Sequence, residues 1–298
     1  MLCNCHVTVD QNNRELARHG TPAFPVASYL DDLRQYGVSW HWHEELEAAV
    51  VTEGKAVVSI GTRTMVLCEG EGFFVNTGVL HSCHPAETGD SRIHSVVFHP
   101  RLVGGSAESI FYQKYVRPVT EHHSMEGFGL YEKEPWQASA LDALRRAWSA
   151  CEREPADYEL LVRSALSELM AALSFGCSET QAEPDPKGLR DEERIKKMLA
   201  FIHREYASGL TTAEIARSAS VSESECLRCF HTTIGTTPIQ YLRHYRIEQA
   251  AQLLAAGKIH IGDAALQSGF SDVSYFSKTF REIKGCTPKE YQTRQHYH

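Results

Sequence analysis

Two short segments bring together the residue types that hold transition metals. His41-x-His43-x3-Glu47 is followed, 34 residues after Glu47, by His81. Three imidazoles and one carboxylate form a donor set suited to iron, manganese, nickel or zinc. Residues 41, 43 and 47 share parity, so on an extended strand they project to one face. His81 must then arrive from a later strand to close the set. The same groups could instead hydrogen-bond an organic effector or one another. A metal with an open position would also allow an enzyme of dioxygenase or isomerase type, but no separate acid/base pair accompanies the ligands. His84, His94 and His99 lie nearby and read as surface or core residues.

Other candidate ligands are weaker. Cys3-Asn-Cys5-His6 has no second ligand pair at finger-like spacing and reads as a frayed terminus. Cys226 and Cys229 form a CxxC, but both fall on the apolar stripe of an expected helix and read as core. The nine cysteines are odd in number and scattered, which suits reduced thiols.

The elements that position these groups change along the chain. Runs at Glu47–Thr52, Ala56–Ile60, Thr64–Leu67, Gly72–Asn76 and Ile93–Phe98 are apolar or alternating, with glycine-containing breaks between them. Short strands at this spacing imply a sandwich or small barrel. From Trp136 the period becomes helical: Leu141, Leu144, Trp148 and Cys151 mark one helix, and Leu160, Leu161, Leu166, Leu169, Met170 and Leu173 a second. These helices are expected to dimerise or to pack on the barrel. Ser178–Gly188 is polar with two prolines and one glycine, a linker signature. Everything after Arg190 reads as helical.

That last third repeats itself. Phe230-x4-Gly235-Thr236-Thr237-Pro238-Ile239-Gln240-Tyr241 recurs as Phe280-x4-Gly285-Cys286-Thr287-Pro288-Lys289-Glu290-Tyr291, an offset of 50 residues. Each copy reads as a short helix, a turn and a second helix, the order of a helix-turn-helix. Thr211-x-x-Glu214 and Ser222-x-x-Glu225 have the form of capping boxes, and Asp272 or Ser271 caps the later reading helix. A connector helix over residues 239–256 would be about 27 Å long, against about 34 Å between major-groove segments on one face of DNA. Charge agrees: residues 195–298 hold 13 Lys+Arg against 9 Asp+Glu, and the remainder 17 against 29. Phosphate neutralisation needs that local positive balance, although the whole chain is at −8. No apolar run approaches the roughly 20 residues of a membrane span. The N-terminus has no signal-peptide pattern, so the expected compartment is the cytoplasm.

The segments LTTAEIARSASVSESECLRCFHTTIGTTPIQYLRHYRIEQAAQLL and IGDAALQSGFSDVSYFSKTFREIKGCTPKEY resemble the DNA-binding domain of the AraC/XylS family. That resemblance implies a transcription regulator, most often an activator, acting on promoter DNA with RNA polymerase as a partner and as a homodimer. It places Ser224, Leu227, Arg228 and His231 of the first unit, and Val273, Ser274, Ser277 and Lys278 of the second, toward the major groove. Cys226, Cys229, Phe230, Phe276 and Phe280 would face the core. The His41 and His81 segments resemble the paired motifs of the cupin superfamily, with Asn76 in place of a usual proline and Pro85 where a late asparagine is common. The expected fold is α+β. An arm (1–20) leads into a cupin-like effector-binding β-barrel (21–105), followed by a helical region (106–177) and a linker (178–190). An all-α domain with two helix-turn-helix units (191–298) ends the chain. A small molecule or metal sensed in the barrel is the expected signal, and a metal-dependent cupin enzyme is the rival reading.

Overall fold

A computed structural model describes residues 2–3, 9, 14–34, 37–86, 90–122, 125–179, 186–255 and 259–295. The chain divides into two units, Met1–Glu192 and Glu193–His298. Cys5 and His6, of the N-terminal cysteine motif, lie outside the described residues.

Among the described residues the first unit has ten strands: β1 (Leu2–Cys3), β2 (Val26–Asp32), β3 (Val38–His41), β4 (Leu46–Glu53), β5 (Lys55–Ile60), β6 (Arg63–Cys68), β7 (Gly72–Val75), β8 (His81–Pro85), β9 (Arg92–Phe98) and β10 (Gly127–Leu130). They form a six-stranded sheet in the order β1-β2-β9-β4-β7-β10 and a four-stranded sheet in the order β3-β8-β5-β6. Apart from the parallel β1–β2 pair, the ladders are antiparallel.

Strand β4 is buried on both faces, and its residues read as a nearly unbroken apolar run for that reason. Ala49 and Val51 pack with Phe73, Val75 and Ile93 of their own sheet and with Val58 and Ile60 of β5. Ala48 and Val50, of the opposite parity, join Phe74, Val96 and Phe98 in a second core completed by helices. Glu47 shares parity with Ala49 and Val51, so it lies on the face turned toward the four-stranded sheet. Gly54 makes the β4–β5 turn with φ +71°, where a Cβ would stand 1.9 Å from the Asp90 carbonyl oxygen. Only glycine fits there.

The helical elements that follow are α1 (Arg101–Gly104), a π-helical turn (Tyr112–Val116), α2 (Arg117–Thr120), α3 (Pro135–Arg153) and α4 (Tyr158–Glu179). Leu141, Leu144, Trp148 and Cys151 are all buried, as the helical period implies. In α4 Val162, Ala165, Leu166, Leu169, Met170, Leu173 and Cys177 are among the buried residues, while Leu160 and Leu161 are exposed at 70% and 45%. The apolar pattern began one turn too early because those two leucines precede the packed stripe. Tyr158–Cys177 is long and apolar enough to cross a membrane by length and mean composition, although Glu159, Arg163 and Glu168 interrupt its apolar run. One face of it lies in the core shared with α3.

Two boundaries differ from the sequence reading. Strand β10 falls inside the expected helical region and pairs with β7. Its four residues, Gly-Phe-Gly-Leu, are too few to show a period. Of the expected linker, residues 178–179 end α4 and residues 186–190 begin α5 (Pro186–Glu205), with residues 180–185 outside the described set. Pro186 suits a first helical turn rather than a break.

In the second unit α5 is followed by α6 (Thr212–Ser218), α7 (Glu223–Cys229), a π-helical turn (Phe230–Ile234), α8 (Pro238–Ala255), α9 (Ile261–Gln267), α10 (Val273–Lys284) and α11 (Pro288–Gln295). Cys226, Cys229, Phe230, Phe276 and Phe280 are fully buried. The CxxC is thus core, and burial pushes the Cys226 thiol up to about 11, far from a reactive range.

Candidate functional site

His41 ends β3 and pairs in register with His81, which opens β8. His43 lies past the end of β3, in the connection to β4, and Glu47 belongs to β4. The three residues of the first motif therefore do not share one strand, as parity alone suggested. The turn at residues 44–45 folds His43 and Glu47 back toward His41, and Gly78 N–H holds the His43 carbonyl at 2.8 Å. The structure brings all four together, with ligand atoms within 4.8 Å of one another, and all four are buried.

The hydrogen bonds fix which nitrogen each ring presents. His41 Nδ1 donates to Ser39 O at 2.8 Å, His43 Nδ1 to Glu45 O at 3.1 Å and His81 Nδ1 to Val79 O at 2.8 Å. A carbonyl only accepts, so the proton sits on Nδ1 and each Nε2 offers a lone pair inward. Outward anchoring of this kind is how metal-binding imidazoles are oriented. Glu47 Oε2 stands 3.3 Å from His43 Nε2 and 3.0 Å from His81 Nε2. Lone pairs facing a carboxylate at that distance need a proton or a cation between them. Two donors each about 2.1 Å from one ion stand about 3.0–3.4 Å apart, so the spacing fits a metal.

Electrostatics within the cluster are uneven. Burial opposes ionisation of Glu47, yet the facing His43 and His81 hold its carboxyl well below the usual range. Burial and the neighbouring His81 depress His41 to about 3. Burial also acts to lower His81, but the Glu47 carboxylate outweighs it and raises the ring. Sequence reasoning missed two further members. Glu15 and His19, from the segment ahead of β2, face His41 and His43 and are buried. Their Glu-x3-His spacing was the available signal.

Of the other residues singled out from sequence, Asn76 is structural. Its Nδ2 donates to Val119 O and Met125 O at 2.8 and 2.9 Å, tying down the chain between α2 and β10. His94 stacks on Trp148 with centroids 3.5 Å apart. A cavity of about 530 Å³ is lined by Glu44, Thr77, Gly78, His99, Arg101 and Tyr112, among others. It includes the residue after His43 and the glycine that holds the His43 carbonyl.

In the second unit the capping chemistry sets the helix starts. Thr211 and Glu214 form a full capping box at α6. At α7, Ser222 Oγ accepts from Glu225 N–H at 3.2 Å. The Glu225 carboxylate also pairs with Arg228 at 2.7 and 2.9 Å and with Arg194 at 2.7 Å. Asp272 caps α10 by accepting from Tyr275 N–H at 2.8 Å. Two caps went unread in the sequence although they sit in the repeat: Thr237 with Gln240 at α8, and Thr287 with Glu290 at α11. Ser224, Leu227, His231, Val273, Ser274 and Lys278 are exposed, Ser277 and Arg228 partly so. Tyr275, 52% exposed on α10, is a further surface residue of that helix.

Comparison with known proteins joins these two halves. The family described as the AraC-like ligand binding domain matches residues 25–170, and a helix-turn-helix domain family matches residues 215–294. The HTH-type transcriptional regulator YdeC of Bacillus subtilis is 28% identical over 95% of this chain and 97% of its own. The HTH-type transcriptional activator RhaR of Klebsiella pneumoniae is 24% identical over 85% of this chain and 87% of its own. A solved structure of ToxT from Vibrio cholerae covers 93% of this chain and 99% of that one, with 13% identity and a TM-score of 0.47.

The chain belongs to the AraC family. As an AraC-family protein it is a ligand-responsive transcription regulator, with a ligand-binding domain built on the two sheets and a DNA-binding domain built on the duplicated helix pairs.

Proposed function

We propose that the barrel of this AraC-family regulator holds a divalent transition metal on His41, His43, Glu47 and His81, and that occupancy of the barrel sets how the helix pairs engage promoter DNA. One observation carries the reading: three buried imidazoles anchor Nδ1 on backbone carbonyls and turn Nε2 inward around a buried carboxylate. Such an ion would supply a Lewis-acidic position for an oxygen-bearing small molecule. The cavity beside the His43 turn is of a size for one. Relatives over nearly the whole chain are transcription regulators, which favours sensing over catalysis.

On the DNA side, Ser224, Leu227, Arg228 and His231 of the first unit and Val273, Ser274, Ser277 and Lys278 of the second are the groove-facing set. The two reading helices, α7 and α10, would occupy adjacent major-groove segments of a duplex. Activation is the proposed direction, since RhaR is described as an activator. A homodimer that contacts RNA polymerase completes the proposal.

Metal analysis of the full chain after metal-replete growth tests the barrel. About one ion per chain is expected, and a chelator should lower the melting temperature. Binding should weaken as pH falls, starting above about 6.5 because the His81 ring, raised by Glu47, takes up a proton first and protonated imidazole has no lone pair to offer. His43→Ala should remove both the ion and the chelator response. An empty barrel with no melting shift would leave the four residues as an internal hydrogen-bond cluster.

A further inference from the structure

The segment ahead of β2 brings a second carboxylate and a fourth imidazole to the cluster. Glu15 N–H donates to Trp42 O at 2.9 Å, so the segment is fastened to the residue between His41 and His43. The Glu15 and His19 side chains are 5% and 2% exposed, as deeply buried as the four cluster residues. Glu15 Oε2 stands 3.6 Å from His41 Nε2 and 3.3 Å from His19 Nε2. His19 Nδ1 is hydrogen-bonded to the Tyr29 hydroxyl at 2.8 Å, and its Nε2, although buried, has no aligned hydrogen-bond partner.

Two features turn this geometry into a ligand argument. The first is a repeated pattern. Glu47 Oε2 faces the Nε2 atoms of His43 and His81, and Glu15 Oε2 faces those of His19 and His41. The two carboxylates are thus placed alike, each between two imidazole Nε2 atoms, so Glu15 is set to serve as a donor as Glu47 is. The second is charge. An ion held by neutral imidazoles and Glu47 alone would keep one positive charge in a buried site. Glu15 would add a buried anion beside it. One divalent ion with both carboxylates is neutral, which removes the cost of burying either charge unpaired.

Resting on the metal reading above, we propose that Glu15 is a fifth protein donor to the ion held by His41, His43, Glu47 and His81, and that His19 is the positioning residue that fixes the Glu15 carboxylate. With the Tyr29 hydroxyl donating to His19 Nδ1, the ring proton lies on Nε2, 3.3 Å from Glu15 Oε2, and a small ring rotation aligns it to donate there. Ligating carboxylates are commonly held by such outer partners. Five donors leave one position of an octahedron open and favour iron(II), manganese(II), cobalt(II) or nickel(II) over zinc, which prefers four ligands.

The test strips the full chain with a chelator and titrates it with manganese(II), zinc(II) and cobalt(II) in turn. Wild type should give the weak visible bands of five- or six-coordinate cobalt. Glu15→Gln, which keeps the shape and loses the charge, should weaken manganese binding by at least about tenfold, weaken zinc binding less, and convert the cobalt spectrum to intense four-coordinate bands. His19→Gln should weaken manganese binding in the same direction by a smaller factor. Matching melting curves of the metal-free proteins check folding, and Glu15→Asp, with the charge kept and the reach shortened, serves if Glu15→Gln does not fold. Wild-type affinity and spectrum in both Glu15 variants, with binding lost in His43→Ala, would overturn the fifth donor and leave the four-residue site standing. No uptake of any of the three ions by wild type would overturn both.

Discussion

The two helix-turn-helix units share a plan and differ in how their charges are spent. Both end in the same Thr-Pro step, capped by Thr237 with Gln240 in one and by Thr287 with Glu290 in the other. The first reading helix, α7, is short and passes into a π-helical turn, whereas α10 runs on without a break for 12 residues. On α7 the basic residue, Arg228, is tied to Glu225, which also holds Arg194. On α10, Lys284 pairs with Glu248, but Lys278 is exposed and has no ion pair among the described residues. Phosphate attraction needs uncommitted positive charge. The repeat has therefore kept the frame while the electrostatics differ: α10 carries an exposed lysine without an ion pair among the described residues, and the arginine of α7 is held by a carboxylate.

The largest expected effect comes from breaking the part both units share. Helix α8 connects them, and Ala250 is fully buried in its C-terminal half. Ala250→Pro should cost about 3 kcal/mol or more, since proline removes a helical hydrogen bond and clashes with the preceding turn. Footprinting should then show one protected groove segment in place of two about 10 base pairs apart. Two segments protected with wild-type affinity would mean that the heads do not depend on a rigid connector.

How much of this was legible in sequence depended on whether a signal repeats. The two units stood out because Phe, Gly, Thr-Pro and Tyr recur at one offset, and caps such as Thr211 with Glu214 need only neighbouring residues. The four cluster residues were legible because histidine and glutamate are rare in apolar strands, and Glu47 interrupts one. The convergence came by a different path, since His43 sits in a turn that parity cannot anticipate. Glu15 and His19 were passed over because their segment has no period and looks like an unstructured arm. What fixes it is a backbone bond to Trp42, a long-range contact that leaves no local trace. The Glu225–Arg228 pair was hidden for another reason. A three-residue spacing allows a pair on a helix but does not say whether the arginine turns to the glutamate or to DNA.

A second test sharpens the contrast through the core beneath the first unit. His203 of α5 is buried, stacked on Tyr245 at 4.0 Å between centroids, with its Nε2 hydrogen-bonded to Tyr241 Oη at 2.7 Å. Burial depresses its pKa to about 3, against about 6.5 unfolded. Below pH 6.5 the unfolded chain takes up a proton that the folded one refuses. The stabilisation is thus complete above pH 6.5 and declines as pH falls toward 3, by about 1.4 kcal/mol per pH unit. His203→Phe should retain the stacking, cost about 1 kcal/mol for the unpaired Tyr241 hydroxyl, and remove this slope. Between pH 7.5 and 5.5 wild type should therefore lose about 1.4 kcal/mol relative to the variant, enough to reverse their order. The readout is urea unfolding followed by far-ultraviolet circular dichroism, because all four tryptophans (40, 42, 136 and 148) lie within residues 1–192, outside the helical unit that holds His203. A gap that stays constant over this range would mean that His203 takes up its proton alike in the folded and the unfolded chain.

The smallest effect should decide whether the charge asymmetry is read by DNA at all. Lys278→Ala should weaken operator binding by about 1 kcal/mol, and reduce the salt slope if the contact is to phosphate. Arg228→Ala should weaken it by less, because that guanidinium is already engaged by Glu225 and the loss to DNA is partly offset. Glu225→Gln should do the opposite of both. It keeps the helix-start amide and the side-chain volume, and it frees two guanidinium groups from one carboxylate. Affinity should rise by a few tenths of a kcal/mol, the order of a surface ion pair, and the salt dependence should steepen toward the value expected for one more phosphate contact. Fluorescence anisotropy on one operator at several salt concentrations measures all three variants on the same scale. If Arg228→Ala proves as costly as Lys278→Ala and Glu225→Gln changes nothing, the arginine leaves its partner when DNA arrives. The two units would then present equal charge in the complex despite their difference in the free protein.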